Sequence, residues 1–252
     1  MIELLKKITE KFIPKRYQLS IRYFYMKMTN KLDEEMIYVS KLLKSKRRFL
    51  DIGANVGIYS YYFKNTFQNI DAFEPLEEIT YRLKSIQNKS LKVHNVALSN
   101  KIDELQFYIP IIDEKIVPPL ASLEKRDGDC EVRTVKVNTV DDYDFNDVDL
   151  IKIDVEGHEQ CVFEGAHKVI KNNMPILIIE IEQRHIKNQI NDVFRSILNL
   201  NYSGFFLQKG KLTSLNEFKY ELNQKPYLEN VIAKEYINNF IFIPNNVNYH
   251  KD

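Results

Sequence analysis

The sequence predicts an α/β fold: a mostly parallel sheet with helices on both faces. Three observations predict it. From Arg48 onward, short apolar runs alternate with stretches of helical period, the pattern of parallel strands and crossover helices. The run 48–52 carries an acid, Asp51, near its end; Gly53-Ala54-Asn55-Val56-Gly57 and a helix-forming segment follow, giving strand, tight loop and helix in order. The chain has 252 residues, 44% of them hydrophobic and 28% charged, which suits one α/β domain with a short accessory segment.

Residues 1–46 read as a helical segment apart from a 47–252 domain, a cap or a contact for substrate or partner. Leu4, Leu5, Ile8 and Phe12 share one helical face, and Pro14 ends that helix. Tyr17 to Met28 forms a second, aromatic-rich helix. Asn30 or Asp33 caps a third, with Glu34 and Glu35 in its first turn and Met36, Val39, Leu42 and Leu43 facing inward. Strands are expected at 48–52, 69–74, 91–95, 148–154, 175–181, 201–207 and 238–243. Helices are expected at 57–66, 76–87, 158–172 and 187–199. Between 96 and 140 the pattern changes. Glu104 to Ile109 and Glu131 to Val140 alternate like antiparallel strands, joined by a Pro- and Gly-containing loop at 110–129. This is an insertion on the active edge of the sheet, or a lid.

Bulk composition excludes several classes. A net charge of +1 gives no general attraction to nucleic acid. The charge is uneven, since residues 1–48 carry 13 Lys/Arg against 5 Asp/Glu. Such a start suits an anionic substrate or peripheral contact with a membrane surface; it equally suits solvated helix faces packed on a sheet. Cys130 and Cys161 form no C-x-x-C and fit a reducing cytoplasm. No run of 18 apolar residues is present, and the N-terminus lacks the pattern of a secretory leader. A cytoplasmic protein is expected, with the inner membrane face as its one membrane contact.

The candidate site residues sit at strand ends. The glycine loop lacks the G-x-G-x-x-G spacing of dinucleotide sites and points instead to S-adenosylmethionine. Asp51 either binds the loop amides and the methionine amine or caps the next helix, the latter worth about 1 kcal/mol. Glu74, followed by Pro75, lies about 20 residues beyond the loop, where an acid accepts both ribose hydroxyls. Asn95, Val96 and Ala97 suit an adenine edge and face. Lys152 and Asp154 share a face of the fourth strand and emerge with Glu156, His158 and Glu159 at the turn into a helix. Five ionisable groups there suggest shifted pKa values and a chemical role; the alternative is a salt-bridged helix start. The fifth strand delivers Glu180, Glu182 and His185. Asp154 and Glu180 could hold a divalent cation, but no spacing is diagnostic and no metal is expected.

The stretches FLDIGANVGIYS, FEP at 73–75, NVALS at 95–99, ASL at 121–123 and VDLIKIDVEGHEQCVFEGA at 148–166, followed by PILIIEIE, resemble the FkbM family of methyltransferases over roughly residues 45–245. The resemblance implies a class I, Rossmann-like fold with a seven-stranded, mostly parallel sheet and a last antiparallel strand. It implies O-methylation from S-adenosyl-L-methionine. Asp51, Gly53, Asn55 and Gly57 match the methionine-binding loop, with Ala54 inside it. Glu74 matches the ribose acid, Asn95 to Ala97 the adenine side, and Ser122 a motif near the active site. Asp154, Glu156 and Glu159 match the acidic motif at the methyl-transfer end.

The mechanism expected is direct in-line transfer, with proximity supplying most of the rate. Asp154, Glu156 or His158 removes the acceptor proton, with His185 in reserve, and Lys152 holds Asp154 ionised. The acceptor expected by family analogy is a sugar hydroxyl of a bacterial polysaccharide, lipo-oligosaccharide or glycolipid. A secondary-metabolite methyltransferase would use the same site. A nicotinamide oxidoreductase would need motifs the chain lacks, and a non-catalytic adenosine-binding module would have no use for the acidic cluster.

Overall fold

The computed structural model describes residues 13–125, 127–186 and 189–246, so the expected helix carrying Leu4, Leu5, Ile8 and Phe12 lies outside the described residues. The strands, in chain order, are β1 (Arg48–Ile52), β2 (Asn69–Phe73), β3 (Leu91–His94), β4 (Ala97–Leu98), β5 (Asp103–Ile112), β6 (Lys115–Ile116), β7 (Cys130–Asn138), β8 (Val148–Ile153), β9 (Ile176–Glu180), β10 (Tyr202–Gln208), β11 (Lys211–Ser214) and β12 (Asn239–Pro244). The helices are α1 (Lys15–Met28), α2 (Glu34–Leu42), α3 (Ile58–Phe63), α4 (Glu77–Lys84), α5 (Glu159–Gly165), α6 (His167–Asn173), α7 (Ile190–Leu198) and the single turn α8 (Tyr220–Asn223).

The main sheet has the order β11-β10-β12-β9-β8-β1-β2-β3. From β9 to β3 the strands are parallel, and β12 enters antiparallel between β9 and β10. Strands buried on both faces need apolar residues of both phases, and β1 and β8 have them. Leu50, Ile52, Ile151 and Ile153 join the core beneath α5, α6 and α7. Phe49 and Leu150 join the opposite core, which α1 to α4 cover. The N-terminal helices contribute Leu19, Met36 and Val39 to this second core, all fully buried against the face that includes Ile178 and Ile241.

The sheet has eight strands where seven are expected. The extra one is β11, joined to β10 by a two-residue hairpin at Lys209 (φ 52°) and Gly210 (φ 74°). Two consecutive positive φ values define the primed turn that matches strand twist, and glycine takes one of them without strain. The helix expected at 158–172 is two helices, broken at Ala166 (φ −110°). The Asp141 carboxylate causes this, accepting from the backbone N–H of Lys168 (3.0 Å) and Val169 (2.9 Å) and so starting a new helix. Asp33 does stand at the start of α2, but its side chain makes no capping bond.

The insertion forms a second sheet, β4-β7-β5-β6. β5 and β7 pair antiparallel from Asp103↔Val137 to Pro110↔Cys130, and Ser122 bridges back to Tyr108. The loop between them runs over the carboxyl end of the parallel strands, where Phe107, Ile109 and Ala121 pack on Val56, Leu76 and Ile79.

Candidate active site

A cavity of about 280 Å³ lies at the carboxyl ends of β1, β2 and β8, beneath the insertion. This is the edge at which open α/β sheets bind ligands. Of the residues singled out from sequence, Gly53, Asn55, Glu74, Pro75, Val96, Ala97, Asp154, Glu156, His158 and Glu180 line it. Asp51, Ala54, Gly57, Asn95, Ser122, Lys152 and His185 support it from outside the lining.

The loop after β1 is shaped by close approach. A Cβ at Gly53 (φ 72°) would fall 1.7 Å from the Asp154 carbonyl oxygen, so only glycine lets β1 and β8 converge here. The N–H groups of Gly53 and Ala54 both donate to the Phe73 carbonyl, at 3.0 Å each. Asp51 turns away from the cavity and accepts from the backbone N–H of Ser60 (3.0 Å) and from its hydroxyl (2.5 Å), inside the first turns of α3. Burial raises its pKa to about 6, against the pull of Ser60 and Lys152.

Glu74 closes one end of the cavity. Its carboxylate accepts from the N–H of Leu76 (3.0 Å) and of Asn55 (3.1 Å), which leaves each oxygen one further lone pair. Burial lifts its pKa to about 7. Asn95 does not reach the cavity. Its amide donates to the Glu74 carbonyl (3.2 Å) and the Thr80 hydroxyl (3.1 Å), while Val96, Ala97 and Leu98 present apolar wall beside it.

The other end is acidic. Lys152 is 2% exposed, with its ammonium 3.4 Å from Asp154, 3.9 Å from Glu180 and 5.3 Å from the centre of the Tyr59 ring. It also donates to Asn239 (3.3 Å). Burial would lower its pKa, but Asp154 and Glu180 outweigh this and raise it. Burial drives the Glu180 carboxyl well up. Glu156 adopts a left-handed backbone (φ 57°) and faces His185 at 3.3 Å. Glu159 accepts from the Gly157 N–H (2.8 Å) with one oxygen; the other is buried without a hydrogen-bond partner. Burial raises its pKa to about 7. Glu182 belongs to a neighbouring network, where hydrogen bonds from Arg184 and Tyr236 overcome its burial and bring its pKa down to about 2. Among the described residues no three His, Cys, Asp or Glu side chains converge as a metal site.

His158 is fully engaged. Its Nε2 lies 2.8 Å from the Ser99 hydroxyl and its Nδ1 2.8 Å from the Glu124 carboxylate. Burial opposes its charge, but Cys161 and Glu124 raise its pKa to about 9. It therefore holds the proton at neutral pH and ties β4, the insertion and α5 together. Ser122 adds a second tie, donating to the Val155 carbonyl (3.2 Å). Sequence patterning did not single out Ser99, Glu124 or Tyr59 as parts of the site. Nor did it place Asp33 and Glu35 there. Both are half-buried near Lys152, and burial raises their pKa values, that of Glu35 to about 7, against the pull of the ammonium. Their one sequence signal is acid at the start of a helix, which capping explains equally well.

Comparison with known proteins bears on the family and the fold. Residues 51–204 match the family model described as the methyltransferase FkbM domain. No curated protein sequence matches the chain. Among solved structures, the methyltransferase FkbM from Methylobacillus flagellatus KT is similar at 14% identity and a TM-score of 0.50, covering 96% of this chain and 58% of that one. This chain thus spans under two thirds of that protein. A putative S-adenosylmethionine-dependent methyltransferase from Listeria monocytogenes (9% identity, TM-score 0.42, 83% and 96% coverage) is more distant. So is an rRNA methylase from Streptococcus thermophilus (11%, 0.42, 82% and 91%).

Proposed function

Because the chain belongs to the FkbM methyltransferase family, we propose that it takes S-adenosyl-L-methionine as its methyl donor and methylates a hydroxyl of a carbohydrate or glycoconjugate acceptor. The observation that carries this is a single cavity with unlike ends, Glu74 and apolar wall at one, and Asp154, Glu156 and Glu180 at the other.

The residues present fit the donor. Glu74 has a free lone pair on each oxygen for the ribose hydroxyls, and Val96, Ala97 and Leu98 suit the face of an adenine. The Gly53 loop leaves room for a group lying against backbone at the β1–β8 junction. When bound, the donor supplies an electrophilic methyl group. At the acidic end Asp154 accepts the hydroxyl proton, while Lys152 balances its charge in the resting site. Glu156, held by His185, orients the acceptor. His158 is not the base in this scheme, because it is protonated and bonded on both nitrogens. Three carboxyl groups at one end of the cavity suit an acceptor rich in hydroxyls, which supports a sugar.

The test is transfer of labelled methyl from S-adenosyl-L-methionine into a cell-envelope extract by wild type and Asp154→Ala. Wild type should label the carbohydrate fraction. The variant should lose a hundredfold or more in turnover, with donor affinity unchanged within a few fold. Normal turnover in the variant removes Asp154 from the mechanism, and label in protein or RNA alone removes the sugar.

A further inference from the structure

Helix α1 has two apolar faces. Leu19 is fully buried, and Tyr23 and Met26 pack beside it on the core. On the opposite side Tyr17, Ile21, Phe24, Tyr25 and Met28 are exposed, at 47, 39, 55, 39 and 85%. At 3.6 residues per turn these five fall within one stripe about 100° wide. A soluble helix with one packed face ordinarily presents polar residues on the other. The helix contains no acid; Arg16 and Lys27 flank the stripe, while the Lys15 ammonium turns to the domain, 5.0 Å from the centre of the Tyr81 ring. Arg16 lies 4.8 Å from the Tyr17 ring centre, and Lys31, just past the helix, 5.8 Å from that of Tyr25. Aromatic and aliphatic side chains edged with cations, on a helix lying flat against its domain, have the make-up of an interfacial membrane helix. No described helix is long and apolar enough to cross a membrane.

We propose that α1 docks the protein on an anionic lipid surface, with Ile21, Phe24 and Met28 entering the headgroup boundary and Arg16 and Lys27 meeting lipid phosphates. Charge complementarity favours this occupant over a second copy of the chain, since two such cationic faces would repel. The distribution of charge would also orient the molecule, because residues 1–48 hold 13 basic against 5 acidic side chains in a protein of net charge +1. The proposal rests on the α1 stripe and the basic charge around it and does not depend on which acceptor is methylated.

The 252-residue chain contains no tryptophan, so Phe24→Trp installs a single reporter on the stripe. Its emission should be that of exposed indole in buffer and shift to the blue with phosphatidylglycerol-containing vesicles, but not with phosphatidylcholine alone. Wild-type protein should co-sediment with the same anionic vesicles. Removing Arg16 and Lys27 together (Arg16→Gln, Lys27→Gln) should weaken that binding about thirtyfold, each cation being worth roughly 1 kcal/mol. Absence of wild-type binding to anionic vesicles, or equal binding by the charge variant, overturns the proposal. So does blue emission in buffer, which would show the stripe covered by another part of the chain or, if dilution reverses it, by a second copy.

Discussion

Glu159 shows how far a single side chain can be pushed by its surroundings. It sits in the first turn of α5, one oxygen on the Gly157 N–H and the other buried without a partner. Burial raises its pKa from the ordinary 4.5 to about 7. A raised carboxyl pKa means the fold prefers the neutral acid. Its contribution to stability is therefore full below about pH 4.5 and is lost as pH rises through 7. Glu159→Gln should raise Tm at pH 8 and leave it nearly unchanged at pH 4, measured by calorimetry; an equal effect at both values would show that Glu159 is not held neutral. Glu35 and Glu74 share the sign and the window, and Asp51 adds a loss of the same sign at lower pH, from about 3.8 up through 6. The positions of Glu74 and Asp154 were legible because strand ends and glycine loops are local patterns. The state of His158 was not, because its partners Ser99 and Glu124 lie 59 and 34 residues away and only the fold brings them to it.

Elements divide in the same way. β1, β2 and β8 could be read from apolar runs, and the antiparallel pair β5 and β7 from alternation. The break at Ala166 could not, since it depends on Asp141, which lies 27 residues before the Lys168 N–H it accepts from. β11 was missed because a four-residue strand behind a Lys-Gly turn carries too little apolar signal. Helix α2 raises a different question. Its Met36 and Val39 fill the core over β9 and β12, while Asp33 and Glu35 at its start sit near the Lys152 ammonium. Met36→Ala should cost about 2–5 kcal/mol in urea unfolding, the range for a buried large-to-small change. A cost below 0.5 kcal/mol would show that α2 is a detachable cap.

At the scale of the whole molecule, a three-layer sandwich places the cavity proposed for the donor at the carboxyl edge of the sheet, the insertion above it, and a cationic, aromatic helix on one flank. The arrangement follows from strands buried on both faces, which leave only their ends free for chemistry. The acceptor was not legible, because the insertion and the acidic residues that line the cavity meet only in the folded chain. For the proposed donor, Glu74 is the most exacting test. Calorimetric titration with S-adenosyl-L-methionine should give one site per chain. Glu74→Ala should weaken binding about tenfold to a hundredfold, the worth of one charge-assisted hydrogen bond or somewhat more. Unchanged affinity in the variant, or binding of NADH in place of the sulfonium donor, would contradict the account.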